Sequence, residues 1–238
     1  MFNLSLLKIG GITMESIKKF FADWTLLEKA WIILSSILMV TLSVIWGDSI
    51  LALLSGLAGV ISVVLCAKGK IENYYFGLFQ AVTYAYICFQ SKIYGEVMYN
   101  VLMVPMIIIG YLSWKKHMND SNEEVKARNL TAKGWVITIV GSVAAVAAYS
   151  TLLKVLGGSF ALVDATSTTL SIVATLLMLT RYSEQWLMWI LVNIASVILW
   201  GMALMGGDES AVTLVVMWSA YLFNSVYGYY NWRKMAKN

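Results

Sequence analysis

Charge is what this sequence holds least of. Only 13% of its 238 residues are Asp, Glu, Lys or Arg, while 60% are hydrophobic. A soluble domain of this size has about a quarter charged residues, so there is too little polar surface here to cover a water-facing globule. Histidine occurs once, as His117, beside Lys115 and Lys116 at a helix end, where it reads as solvated. Cysteine occurs twice, at Cys66 and Cys88, both inside apolar stretches, with no metal-ligand spacing and no expected disulfide. No His falls inside a predicted helix to ligate a haem, and no nucleophile–base pair appears. Neither a cofactor nor an enzyme is therefore expected. The net charge of +4 comes without an aromatic-interleaved basic patch, so no nucleic-acid partner is expected. A secretory signal is not expected either: residues 1–29 carry Lys8, Lys18 and Lys19 and no apolar run ending in a small-residue cleavage site.

Long apolar runs are what the sequence has in their place. A membrane-crossing helix needs about 20 mostly apolar residues, and barrel strands would alternate apolar with polar. The runs here, such as 32–46 and 97–114, are continuous, which favours helices. The pattern predicts eight transmembrane helices over 30–46, 49–67, 73–90, 96–114, 134–154, 165–180, 185–203 and 211–231 of an all-α integral membrane protein. Met14 to Trp24 is expected to form an amphipathic helix lying on the lipid bilayer. The only long polar linker is 115–133.

Eight crossings distribute the loops over two faces. One face takes the N-terminus, 68–72, 115–133, 181–184 and the C-terminus, and with them every Lys and Arg of the 17 except Lys92 and Lys154. Cytoplasmic loops carry the excess of Lys and Arg, so both termini are expected in the cytoplasm.

The helices also fall into two triplets. Gly110-Tyr111-Leu112-Ser113-Trp114-Lys115-Lys116 closes the first and Gly228-Tyr229-Tyr230-Asn231-Trp232-Arg233-Lys234 the second, and Asn73-Tyr74 corresponds to Gln185-Trp186. One helix, 134–154, separates them, which restores a parallel orientation to two copies with an odd number of crossings. The competing reading is that both endings are interfacial aromatic-plus-basic signatures. The predicted segments are 1–47 (leader and extra helix), 48–114 (first triplet), 115–155 (linker and linking helix), 156–234 (second triplet) and 235–238 (tail).

Neutral polar residues with large aromatics occupy the helix interiors. Trp186, Trp189 and Asn193 share one helix face at i, i+3, i+7. Trp218, Tyr221 and Asn224 do so on the last helix, and Phe76, Gln80 and Tyr84 form an i, i+4, i+8 stripe. Gln90 and Asn100 lie nearer the outer side. At about 1.5 Å per residue Asn193 lies about 12 Å from the cytoplasmic end of its helix, and Trp218 and Tyr221 about 10 and 15 Å from the outer end of theirs. These depths approach the middle of a core about 30 Å thick. Trp46 and Trp200 read as interfacial belt residues. Amides can also act as interhelical glue, yet deep amides beside deep rings suit a ligand site. Indole and phenol faces attract planar or cationic rings, and amides bond hydroxyls or a carboxamide. No fixed charge stands by to hold a phosphate.

The WxxWxxxN pattern of Trp186, Trp189 and Asn193, followed by WxxYxxN of Trp218, Tyr221 and Asn224, resembles the PnuC family of bacterial vitamin transporters, as does the run from Asn73-Tyr74-Tyr75-Phe76-Gly77 to Trp114. The likeness spans roughly residues 48–234. It departs at Tyr74-Tyr75, where Trp-Pro follows Asn in many members. The resemblance implies a 3+1+3 parallel-repeat core related to SWEET sugar transporters, preceded here by an extra helix. Nicotinamide riboside is the implied substrate, taken up across the bacterial inner membrane by facilitated diffusion. The implied site residues are Trp186, Trp189, Asn193, Trp218, Tyr221 and Asn224, with Phe76, Gln80, Tyr84, Gln90 and Asn100 from the first half. A homotrimer and trapping of the substrate by a cytoplasmic riboside kinase are implied as well. Riboflavin, thiamine or a sugar is the competing cargo, and a membrane sensor that binds without transport is the competing class.

Overall fold

The computed structural model describes residues 20–22, 24–47, 49–90, 92, 94–119, 124–157, 161–207 and 211–237. Among the described residues there are eight long helices: α1 Leu26–Trp46, α2 Ile50–Lys68, α3 Asn73–Gln90, α4 Tyr94–Lys115, α5 Ala132–Val155, α6 Ala161–Leu179, α7 Gln185–Met205 and α8 Ala211–Met235. Each expected helix is present. Most of the expected amphipathic leader helix lies outside the described residues, but Phe20, Phe21 and Trp24 pack on Val64 and Leu65 of α2.

Helix ends differ from expectation where capping or packing overrides hydropathy. Helix α1 begins four residues early because Thr25 and Glu28 form a reciprocal capping box, with Glu28 N–H donating to Thr25 Oγ1 at 3.2 Å and Thr25 N–H to the Glu28 carboxylate at 2.6 Å. Helix α8 runs on to Met235, where Arg233 and Lys234 in its last turn complement the helix dipole. Pro105 sits inside α4 without ending it, as neighbouring helices can allow.

Among the described residues, six of these helices are long and apolar enough to cross a bilayer. The other two, α3 and α8, are richest in tyrosine and amide side chains. The apolar surface points outward: Val136, Ile137, Val140 and Val143 of α5 are 60–65% exposed. Meanwhile Asn73, Gln185, Glu184 and Lys68 are buried. That inversion suits a solvent as apolar as hydrocarbon.

Helices α2 and α6 end identically. Gly69 (φ 79°) and Arg181 (φ 65°) take left-handed backbone. Lys70 N–H then donates to Leu65 O at 2.9 Å and Tyr182 N–H to Leu177 O at 2.8 Å, the Schellman pattern. The polar linker straps both ends, Val125 N–H reaching Gly69 O and Arg128 N–H reaching Arg181 O, each at 2.9 Å. Over these ends packs the main core, built from Cys66, Tyr74, Trp114, Leu179, Trp186 and Trp232 among others. Trp114 donates to Met178 O and Trp232 to Cys66 O, both at 2.9 Å. Two glycines permit the close approach: a Cβ on Gly110 would lie 2.6 Å from the Tyr74 ring, and one on Gly228 2.6 Å from the Trp186 ring.

The start of α1 joins the same end of the bundle. Lys68 donates to Glu28 at 3.1 Å, with both side chains about 5% exposed or less, and lies 3.7 Å from Glu124. Tyr227 O–H also donates to Glu28. The first residues of α1, the ends of α2, α4, α6 and α8, and the linker thus lie on one end, the end on which the basic residues were expected to gather.

Candidate functional site

Among helices α2, α3, α6, α7 and α8 lies a cavity of about 340 Å³, within the range of small-molecule sites. Its described lining comprises Ser62, Val63 and Cys66 of α2, Asn73 and Gln80 of α3, Met178 of α6, Trp186, Trp189 and Asn193 of α7, and Trp218, Tyr221, Asn224 and Ser225 of α8. None of these residues is charged. Regular helices at three- and four-residue spacing bring the α7 and α8 residues to the cavity together, and α2, α3 and α6 supply the rest of the lining.

The polar groups are held in place. Asn193 Nδ2 donates to Ser225 Oγ at 2.9 Å. Asn224 Nδ2 donates to Val63 O at 3.3 Å, and its Oδ1 accepts from Trp31 Nε1 at 3.2 Å. Trp218 and Tyr221 meet edge to face at 5.9 Å between centroids. Trp186 Nε1 is buried without a partner, a donor left over on a side chain of the cavity wall. Fixed rings with spare amide and indole groups can hold a planar ring and hydrogen-bond its polar substituents. Among the described residues no group of three His, Cys, Asp or Glu is placed to hold a metal.

Of the residues singled out in the sequence, Trp186, Trp189, Asn193, Trp218, Tyr221, Asn224 and Gln80 meet at this cavity. Four others do not line it. Phe76 packs on the Trp24–Leu65 cluster. Tyr84 is 39% exposed on the outside of α3. Gln90 donates to Tyr86 on its own helix at 2.9 Å, and Asn100 is buried in α4. The Phe76–Gln80–Tyr84 stripe drifts about 40° at each step, so only its middle residue reaches the cavity. Ser62, Asn73 and Ser225 escaped sequence reasoning because single small polar residues in apolar helices carry no pattern. For Asn73 the hints are its correspondence with Gln185 and its place at the head of the run Asn73-Tyr74-Tyr75-Phe76-Gly77.

Comparison with known proteins agrees with this picture. Residues 49–234 match the nicotinamide mononucleotide transporter family. The chain is 42% identical to the nicotinamide riboside transporter PnuC of Haemophilus influenzae, covering 92% of this chain and 95% of that one. It is 39% identical to the PnuC of Neisseria mucosa, over 92% and 86%. The crystal structure of a vitamin B3 transporter PnuC superposes with a TM-score of 0.76 at 39% identity, covering 93% of this chain and 96% of that one. The relatives are transporters, not enzymes, and the many outward apolar side chains of these helices fit a multi-pass membrane protein. On these grounds the chain belongs to the PnuC family of membrane transporters.

Proposed function

We propose that this protein carries nicotinamide riboside into the cell by facilitated diffusion, through the cavity between the two triplets. The neutral lining of amides, hydroxyls and aromatic rings is the observation that carries the reading. Trp218, Trp186 and Trp189 offer faces for a pyridinium ring. Asn193, Asn224, Gln80 and Tyr221 offer partners for ribose hydroxyls and a carboxamide. The matched family is described by the mononucleotide, whereas the most similar relatives are named for the riboside. A phosphate would want Arg, Lys or a helix N-terminus, and the described lining holds no cation, which favours the riboside.

Transport rests on two parallel repeats, α2–α4 and α6–α8, joined by α5 and preceded by α1, in the SWEET-like 3+1+3 plan. The reciprocal Trp114 and Trp232 contacts, the matching ends of α2 and α6, and the pairs Gly110–Tyr74 and Gly228–Trp186 support the repeat. All eight helices cross the inner membrane with both termini in the cytoplasm, as the distribution of Lys and Arg supports. Rocking of the repeats about the cavity opens it alternately to each side. Net uptake follows the gradient kept by a cytoplasmic kinase that phosphorylates the product. Family resemblance supports a homotrimer.

Uptake of labelled nicotinamide riboside into vesicles containing the purified protein tests the mechanism. Equilibration that persists after the proton gradient is collapsed is expected. Uptake abolished by that collapse overturns facilitation, and binding without flux favours a sensor.

A further inference from the structure

We infer that Trp31, on the helix that precedes the repeats, is a positioning residue of the substrate site and acts through Asn224. The inference rests on the reading of the cavity given under Proposed function. Residue 31 lies outside the stretch 49–234 that matches the family, and α1 supplies no described residue to the cavity lining. Yet the Trp31 indole N–H donates to Asn224 Oδ1 at 3.2 Å, while Asn224 Nδ2 donates to Val63 O at 3.3 Å. Asn224 is itself 3% exposed and lines the cavity.

Those two partners choose one orientation of the amide. Turning it over would set the NH₂ group against the indole N–H and the oxygen against the Val63 carbonyl, replacing two bonds with two repulsive contacts. In a site of low dielectric such a reversal is costly. Asn224 therefore offers the cavity one defined N–H and one defined lone pair. Without Trp31 the oxygen is released and the amide can rotate, so the site loses its fixed choice of donor and acceptor for a substrate hydroxyl or carboxamide.

The indole is held in turn. Its ring packs on Phe223 at 4.4 Å between centroids. One helical turn earlier on α1, Glu28 accepts from Tyr227, which lies one turn after Asn224 on α8. Glu28–Tyr227 and Trp31–Asn224 are thus successive polar rungs between two antiparallel helices. The lower rung, anchored further by Lys68, sets the depth of the upper.

Calorimetric titration of nicotinamide riboside into the purified full-length protein tests this in four forms: wild type, Trp31→Phe, Asn224→Ala and the double variant. Phenylalanine keeps one ring against Phe223 and removes the donor with the rest of the indole, and the Asn224→Ala background separates the lost hydrogen bond from the lost volume. Loss of a buried hydrogen bond predicts affinity about tenfold weaker for Trp31→Phe. In the Asn224→Ala background the same change has no further effect, which a merely structural role would not produce. Affinity unchanged by Trp31→Phe, or weakened equally in both backgrounds, overturns the inference alone. Wild type that fails to bind overturns the substrate reading and this inference with it. Trp31→Leu replaces Trp31→Phe should the latter not fold, with the same outcomes.

Discussion

Trp114 and Trp232 face each other with ring centroids 5.3 Å apart, and each gives its indole N–H to the last turn of a helix in the opposite triplet. Met178 receives the first and Cys66 the second, and the side chains of these two acceptor residues touch at 3.8 Å between sulfurs. The four residues form a closed exchange at one end of the bundle, in which α4 is fastened to α6 and α8 to α2.

The proposed repeat makes a prediction about stability. Trp114→Phe and Trp232→Phe each remove one hydrogen bond and leave a small void, a loss on the order of 1–3 kcal/mol. Thermal unfolding in detergent should show similar decreases for the two variants. A large difference between them counts against the repeat.

The glycines separate stability from function. Gly110→Ala and Gly228→Ala each drive a methyl group into an aromatic ring, and such overpacking costs about 1–3 kcal/mol. Gly228→Ala displaces Trp186, which lines the cavity, and should weaken substrate binding as well. Gly110→Ala presses on Leu179 and Tyr74, neither of which lines it, and should lower the unfolding temperature while leaving affinity close to wild type. Melting curves and calorimetry on the same samples check both.

Removing Glu28 takes the nearest carboxylate from a buried ammonium. Breaking a buried pair costs roughly 3–5 kcal/mol, and Glu28→Gln should fall at the low end because Glu124 remains 3.7 Å from Lys68. The double variant Glu28→Leu, Lys68→Met should recover much of the loss. Folded yield and unfolding temperature measure this, and a double variant no better than the single would exclude the buried charge as the cause.

Cavity residues and their near neighbours in sequence should diverge sharply. Trp218→Ala and Asn193→Ala each weaken nicotinamide riboside binding by on the order of 1–3 kcal/mol through lost stacking and lost hydrogen bonds. Tyr84→Ala and Gln90→Ala, whose side chains lie outside the lining, should bind within about twofold of wild type, well under the tenfold that 1.4 kcal/mol represents.

Orientation is testable in intact cells, since Cys66 and Cys88 are buried. A membrane-impermeant maleimide should label Lys154→Cys and spare Lys237→Cys until the cells are broken. Both native positions are exposed. The reverse pattern would place the termini outside.

Much of the cavity lining is legible in the sequence. Trp186, Trp189 and Asn193, like Trp218, Tyr221 and Asn224, stand on single helix faces because 3.6 residues per turn makes a face a property of local sequence. Gln80 was reached the same way. Phe76 and Tyr84 lie off the cavity because spacing relates residues of one helix to each other and is blind to which neighbour that face meets. Trp31 had no signal at all: its bond to Asn224 joins residues 193 positions apart.

The sequence by itself determined the solvent and the count of helices. Continuous apolar runs cannot be hidden in a globule of this size, so they become helices in lipid, and short polar breaks separate them. Packing alone decided where the halves meet. The exchange of Trp114 and Trp232, the burial of Lys68 on Glu28 and the orientation of the Asn224 amide depend on contacts between distant segments, and such contacts leave no periodic trace along the chain. They arise because buried polar groups must find partners, and the partners come from whichever helix the fold brings within reach.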